Sequence, residues 1–133
     1  MRIYLDTNVV IYFVEKSPKW YSKVRARLAK LVFGRDTLVV SDLTVAECLV
    51  GPFMTNNAKL ETTHRTFFAD PMTEVLLPKK TSFELAARIR ADLSFELVDA
   101  LHLAIATDHH CDLFLTNDGK LTTYTGVPVE RLR

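Results

Sequence analysis

Four acidic residues spread over the whole chain have the type and placement expected of a metal centre: Asp6, Glu47, Asp99 and Asp118. Asp6 closes the apolar run 3–5, and Asp118 follows the apolar run 113–116, so two predicted strands are each followed by a carboxylate. The carboxyl ends of parallel strands line the crevice where ligands bind. Carboxylate clusters suit Mg²⁺ or Mn²⁺, and such ions support hydrolysis of phosphodiester bonds by activated water.

Asp99 gives the clearest of these signals. The segment 95–107 is apolar on almost every side, which predicts a helix that is buried nearly all round. A lone ionised carboxylate there would be costly, and a bound cation would offset that cost. His102 follows one helical turn later and can reach the same cleft, although packing within the helix layer is the favoured interpretation. The roles that we predict are metal ligation by Asp6 and Asp99, completion of the site by Glu47 and Asp118, and hydroxyl hydrogen bonding by Thr7 and Thr116.

Three of the acids also have structural interpretations, which remain open. Glu47 ends a Thr-Val-Ala-Glu run with the spacing of a capping box, so it could cap a helix instead. Asp118 lies in an Asn-Asp-Gly turn signal, and the segment that starts at Asp6 could cap the helix that follows. Asp99 has no comparable alternative. Because four carboxylates at one end of a sheet would repel one another without a cation, the set as a whole favours metal binding.

The segments around these acids alternate between strand-length apolar runs and runs of helical period. This pattern predicts an α/β fold, a three-layer α/β/α sandwich around a mostly parallel sheet, in one domain over residues 1–133. Strands are predicted at 2–5, 38–40, 74–77 and 112–116, and 127–132 can add a short edge strand. Helices are predicted at 9–15, 20–33, 57–69, 81–92 and 95–107, and a further helix holds residues 45–50.

Capping residues mark several of the helix starts. Ser41 or Asp42 can cap the third helix. Thr81 and Glu84 have the capping-box spacing and would open the fifth helix. Ser94 can cap the helix that carries Asp99.

Composition excludes several classes of protein. The 133 residues are 48% hydrophobic, 25% charged and nearly neutral at +1, which argues against disorder and against a globally cationic nucleic-acid binder. The apolar stretch 9–14 is too short to cross a membrane and lacks the basic leader of a signal peptide, so we expect a cytoplasmic protein. Cys48 and Cys111 are expected to be buried reduced thiols.

One stretch of the chain is a candidate surface for nucleic acid. Residues 16–35 contain seven basic residues and no acid, and Lys23, Arg27 and Lys30 share one helix face that could contact phosphates. An ordinary solvated face is an equal alternative. Trp20 could stack on unpaired bases, but anchoring of the helix to the core is its favoured role.

Four segments, in order, carry the resemblance to a known family: 3–8 (IYLDTN), 43–49 (LTVAECL), 99–104 (DALHLA) and 116–118 (TND). They resemble the motifs of PIN-domain ribonucleases and, within that family, of VapC-type toxins from toxin-antitoxin pairs. In the last motif, Thr116 or Asn117 would support the metal-water network. The resemblance covers essentially the whole chain. It implies a Mg²⁺- or Mn²⁺-dependent endoribonuclease that cuts RNA, forms a homodimer and has a cognate antitoxin partner.

Three alternative functions remain. One is a stand-alone PIN-type nuclease in RNA processing or decay, and another is a PIN-like module that only binds RNA or protein, although such a module has no reason to keep all four acids. The third is a Mg²⁺-binding receiver-type signalling domain. A receiver domain requires an adjacent acidic pair after the first strand and an acceptor Asp after the third, whereas this chain has Thr7 after Asp6 and Pro78 after Leu77.

Overall fold

The computed structural model describes residues 1–133 and contains one five-stranded sheet in which every pairing is parallel. The strands are β1 (Arg2–Leu5), β2 (Thr37–Ser41), β3 (Thr73–Leu76), β4 (Leu113–Thr116) and β5 (Val129–Arg131). Their order across the sheet is β3-β2-β1-β4-β5. The predicted sandwich is confirmed, and the edge strand near the C-terminus is present as β5.

Six α-helices cover the two faces of the sheet. They are α1 (Thr7–Val14), α2 (Tyr21–Phe33), α3 (Asp42–Met54), α4 (Ala58–Ala69), α5 (Lys80–Leu93) and α6 (Leu97–Asp108), and a short 3₁₀ helix covers Gly119–Thr123. One layer contains α5 and α6, and the other is built mainly from α1 and α2 with contributions from α3 and α4. None of these helices has the length and apolar character needed to cross a bilayer.

The central strand β1 is buried on both faces, as expected for a parallel sheet between two helical layers. Ile3 and Leu5 pack against α1 and α2. Tyr4, the residue between them in the strand, packs against α5 and α6 on the other face. All three side chains are fully buried. Alternate residues of one short strand therefore contribute to two separate cores.

The strand order places the site at a reversal of the chain. From β1 the chain proceeds to β2 on one side, and it later returns to add β4 on the other side of β1. In register, Leu5 lies opposite Leu115, and the N–H of Asp6 donates to the carbonyl of Leu115 at 2.9 Å. The residues that follow β1 and β4 therefore emerge together at the carboxyl edge, at the kind of switch point where α/β proteins bind ligands.

Two of the predicted helix caps are wrong. The first is the predicted cap of α5. Its capping contact lies two residues before the predicted Thr81–Glu84 box, because the N–H of Lys79 donates to the hydroxyl of Ser82 at 3.1 Å. Thr81 lies inside the helix, and its hydroxyl donates to the carboxylate of Asp108 at 2.9 Å. The Thr81 hydroxyl is therefore used to join the start of α5 to the end of α6.

The second correction concerns the helix that carries Asp99. Ser94 ends α5 in the left-handed conformation, with φ of 61°, and the residue that flanks the start of α6 is Glu96. The helix is not buried all round, because Leu97 and Val98 are 55% and 42% exposed. Burial becomes nearly continuous only from Ala100 onward.

Candidate active site

The structure places all four predicted acids at the carboxyl edge of the sheet. Asp6 joins β1 to α1, Glu47 lies in the second turn of α3, and Asp118 follows β4. Asp99 lies in the first turn of α6, and because α6 leads back to the start of β4, its first turn also lies at this edge. Residues separated by up to 112 positions in the sequence thus meet in one region.

Asp6 is a buried carboxylate with several hydrogen bonds. Its Oδ1 accepts the N–H of Thr7 at 2.9 Å, and its Oδ2 accepts the hydroxyl of Thr116 at 2.7 Å and the amide of Asn8 at 3.4 Å. Asp6 is therefore the N-cap of α1, so its structural interpretation is correct but does not occupy the whole carboxylate. Burial raises the pKa of Asp6, whereas His102 and the hydrogen bonds from Thr116 and Thr7 oppose the shift, and the charge of Glu47 adds slightly to it.

Glu47 is held by two donors on a single oxygen. Its Oε1 accepts the hydroxyl of Thr7 at 2.6 Å and faces Nε2 of His102 at 2.5 Å, while Oε2 makes no hydrogen bond. Burial acts to raise the pKa of Glu47, but the hydrogen bonds from His102 and Thr7 outweigh it, so the pKa is lowered. The helix-capping alternative for Glu47 is wrong, since α3 begins at Asp42 and Thr44 makes the capping contact, accepting the N–H of Ser41 at 3.2 Å.

His102 belongs to a buried chain of hydrogen bonds behind Glu47. Its Nδ1 lies 2.7 Å from the hydroxyl of Tyr4, which lies 2.7 Å from the hydroxyl of Ser41. An ionised Glu47 only accepts, so Nε2 of His102 must donate to it, and in this tautomer Nδ1 can accept from Tyr4. Every member of the chain is satisfied in this arrangement. Tyr4 remains a phenol because burial raises its pKa.

His102 makes more contacts within the candidate site than the sequence indicated. It is only 1% exposed, which agrees with the predicted packed position, yet both ring nitrogens are engaged within the site. The sequence signal that pointed to it was its place three residues after Asp99 on one helix.

Asp99 is half-buried, and its carboxylate makes no hydrogen bond within the chain. Burial raises its pKa, and the negative charges of Asp6 and Asp118 raise it further. The sequence indicated no structural role for Asp99, but the structure supplies one, because an acid in the first turn of a helix interacts favourably with the helix dipole.

Asp118 combines a turn role with a place at the site. Its Oδ1 accepts the N–H of Lys120 at 3.0 Å, which caps the 3₁₀ helix, so the turn interpretation is confirmed. Its own N–H donates to the hydroxyl of Thr116 at 2.9 Å. Since the same hydroxyl donates to Asp6, Thr116 connects the two acids directly.

Asn117 points toward α1 instead of toward the acids. Its N–H donates to Oδ1 of Asn8 at 3.3 Å, and its side-chain amide donates to the hydroxyl of Tyr12 at 3.1 Å. Its Oδ1 is buried without a partner. Its predicted support of a metal-water network stays a prediction.

The basic stripe, the helix face predicted to carry Lys23, Arg27 and Lys30, is only partly available to bind phosphates. Lys23, Arg27 and Lys30 line one shallow groove on α2, but the guanidinium of Arg27 forms two hydrogen bonds with Glu130 of β5, at 2.7 and 2.8 Å. The pairing raises the pKa of Arg27 and neutralises the middle of the stripe.

A family model for the PIN domain matches residues 3–126 of the chain. The chain belongs to the PIN domain family. A receiver-type signalling domain, one of the alternatives considered above, is therefore wrong. Among curated protein sequences, none matches this PIN domain significantly.

Solved structures show the same fold for this PIN domain. VapBC2 from Rickettsia felis, bound to a DNA fragment from its promoter, has a TM-score of 0.83 at 18% identity over 100% of both chains. A toxin-antitoxin complex from Klebsiella pneumoniae has a TM-score of 0.72 at 21% identity over 94% of both chains. VapC20 from Mycobacterium tuberculosis, a toxin that cleaves the sarcin-ricin loop, has a TM-score of 0.73 at 14% identity over 95% of this chain and 98% of its own.

The donor set of this PIN domain fits a hard divalent cation. Asp99 lies close enough to Asp6 and Asp118 for their charges to raise its pKa, and a cation among these oxygens would remove that repulsion. No three His, Cys, Asp or Glu side chains lie close enough together to hold a metal ion by themselves. An open arrangement suits Mg²⁺, which binds through one or two carboxylates and keeps several waters.

Proposed function

We propose that this PIN domain is a Mg²⁺- or Mn²⁺-dependent endoribonuclease, and that it is the toxin of a toxin-antitoxin pair in the cytoplasm. The observation that carries the proposal is the convergence of Asp6, Glu47, Asp99 and Asp118 at the switch point of a PIN fold. The unbonded carboxylate of Asp99, close to the negative charges of Asp6 and Asp118, favours a cation site over a module that only binds RNA.

The residues of the site would divide the work as follows. Asp6 and Asp99 would hold the cation, with Asp118 completing the site. When bound, Mg²⁺ or Mn²⁺ supplies Lewis-acid polarisation of the scissile phosphate and activation of water. Glu47 is held ionised, and His102 and Thr7 fix one of its oxygens so that Oε2 stays free to orient a water or accept its proton.

Cleavage of RNA by the purified chain tests the nuclease proposal. We expect single-stranded or loop RNA to be cut in Mg²⁺ or Mn²⁺, to be protected by EDTA, and to be cut again when the metal is restored. Asp6→Asn should lose this activity because a cation ligand is removed while the shape is kept. Asp92→Asn is the matched control, since the side chain of Asp92 is exposed and forms no hydrogen bond or ion pair. Wild-type cleavage by Asp6→Asn would reject the site.

The antitoxin proposal rests on the toxin-antitoxin structures that share this fold. We expect an apolar helix of the antitoxin to lie beside α1 and α3 and to direct a basic side chain at the acids, which would block substrate by charge and by occupancy.

Co-expression with the product of the adjacent small gene tests the partner, and gel filtration of the free chain tests the expected homodimer. A stable complex that relieves growth inhibition by the chain would support the toxin proposal. Absence of both complex and growth inhibition would leave a stand-alone PIN nuclease in RNA processing or decay. The two proposals are thus tested separately.

A further inference from the structure

We propose that Trp20, Lys19 and Lys23 form a nucleotide subsite beside the acids, in which an unpaired base of the RNA stacks on Trp20 and the two lysines bind its flanking phosphates. The inference rests on the proposed nuclease function and names where its substrate is held. It replaces the stripe along α2 with a cluster at the start of that helix.

The geometry of the cluster is that of a stacking platform with cations above it. Tyr12 stacks on Trp20 with ring centroids 5.7 Å apart and an interplanar angle of 15°. The ammonium groups of Lys19 and Lys23 each lie over the Trp20 ring, 5.2 Å from its centroid. Trp20 packs partly against the core but remains partly exposed, so the predicted anchoring leaves part of the ring available.

The cluster is joined to the acid site by a short series of contacts. The hydroxyl of Tyr12 accepts a hydrogen bond from Asn117 at 3.1 Å, and Asn117 directly precedes Asp118. Thr116, on the other side of Asn117, donates to Asp6. A strand of RNA with one phosphate at the acids therefore has Tyr12 and Trp20 as its neighbouring aromatic surface.

The charges also favour this end of α2. Neither Lys19 nor Lys23 lies within salt-bridge distance of an acid, whereas Arg27 further along the helix is paired with Glu130. Lysines on flexible stems can move from the ring to a phosphate when a base takes their place. Proteins that bind single strands combine such cations with aromatic rings, because every base offers a face for stacking.

The stacking requirement selects unpaired RNA over a duplex and over an acidic peptide. Bases within a duplex are already stacked and present only their edges. An acidic peptide would engage the lysines without placing a ring on Trp20. These alternatives give different signals at the tryptophan.

Trp20 is the only tryptophan of the chain, so its intrinsic fluorescence reports on this subsite alone. The titration uses Asp6→Asn, which keeps the RNA intact, and three probes: a single-stranded oligoribonucleotide, the same strand without bases, and the duplex. We expect saturable quenching by the single strand and little by the other two. Quenching by the abasic strand to the same extent, or no quenching by a single strand that binds by anisotropy, would overturn the proposal.

Variants of the chain separate the subsite from the chemistry. Trp20→Ala should weaken binding of labelled single-stranded RNA by about 5-fold or more, whereas Trp20→Phe should restore most of it. In an otherwise wild-type chain, Trp20→Ala should raise KM and leave kcat nearly unchanged. Lys23→Ala should weaken binding, and Lys80→Ala, an exposed lysine on α5, should not. Unchanged binding in both Trp20 variants would reject the subsite, whereas loss of all RNA cleavage in the wild type would reject the nuclease proposal instead.

Discussion

The two edges of the sheet treat acidic residues in opposite ways, and the amino edge is the conventional one. There the guanidinium of Arg2 forms an ion pair with Glu74 at 3.0 Å and also donates to the carbonyl of His109. The terminal amino group pairs with Asp36 at 2.8 Å. Cations of the chain itself satisfy the acids at this edge, so the edge contributes to folding.

At the carboxyl edge no arginine contacts any of the four acids, and the only lysine contact joins Lys120 to Asp118 at 3.8 Å. One hydroxyl, one backbone N–H and one side-chain amide donate to the carboxylate of Asp6, and the carboxylate of Asp99 accepts no hydrogen bond. The pKa values of Asp6 and Asp99 are both raised, chiefly by burial. At the amino edge, the chain neutralises its acids with its own cations. At the carboxyl edge it keeps a negative region, where we propose that a cation binds.

The largest expected effect is on catalysis at the carboxyl edge. Asp6→Asn and Asp99→Asn should each reduce RNA cleavage by about 10³-fold or more, the scale seen when one member of a catalytic unit is removed. Because both serve one proposed centre, the double variant should lose little beyond either single variant. Single-turnover rates for the three proteins measure this. Multiplicative losses would show that the two acids act independently.

A smaller effect is expected one step behind the acids, at His102. His102→Ala should leave Glu47 without its buried donor and reduce kcat by about 10- to 100-fold, the usual cost of losing a supporting partner. His102→Gln can donate to Glu47 and should recover part of the rate. A purely structural role predicts instead that both variants lose stability in proportion to activity, which thermal melting of the same samples would reveal.

The amino edge should show the opposite behaviour. Arg2→Met removes an ion pair and a charge-assisted hydrogen bond, so we expect the free energy of unfolding to fall by about 1–2 kcal/mol. The cleavage rate per folded molecule should not change. Urea unfolding and initial rates on one preparation measure both quantities. A loss of rate beyond the loss of folded protein would show that the edges are coupled.

The smallest effect concerns the pH dependence of Asp99. Its raised pKa means that Asp99 costs no stability below the ordinary carboxyl pKa of about 4 and costs most once pH has risen through the raised value. Without metal, Asp99→Asn should therefore melt above the wild type at neutral pH, by about 2–4 °C, and the difference should vanish on acidification toward pH 4. Mg²⁺ should raise the melting temperature of the wild type by mass action.

In that experiment Asp99→Asn should respond much less to Mg²⁺, while Asp92→Asn should behave like the wild type at every pH. A wild type that melts at the same temperature with and without metal would contradict the view that this edge is reserved for a cation.

The sequence predicted the strands and the common location of the four acids because those features depend on local pattern and on chain direction. Asp6 and Asp118 follow buried strands, and parallel strands end at one edge. The cap of α6 was wrong because Ser94 satisfies the usual preference for a capping residue, yet tertiary packing uses it in a left-handed turn. The exposure of Leu97 and Val98 could not be predicted either. An apolar pattern in the sequence does not show whether another element covers those residues.

His102 illustrates a further limit of local reasoning. Its partners Glu47 and Tyr4 lie 55 and 98 residues away in the sequence, so no window of the chain contains the hydrogen-bond series. The ion pair between Arg27 and Glu130, 103 residues apart, escaped the sequence analysis for the same reason. Spacing predicts what a residue can reach along its own helix, but only the fold shows what approaches it from elsewhere.

Asp6 directly follows β1 and is also the N-cap of α1. Its carboxylate accepts the N–H of Thr7, and its carbonyl accepts the N–H groups of Val9 and Val10. Because Asp6 belongs to both features, local unfolding of the first turn of α1 would also release Asp6 from its place among the acids. An ion bound to Asp6 would slow hydrogen exchange of these three amides. The exchange rates at the start of α1 would therefore report whether the metal site is occupied.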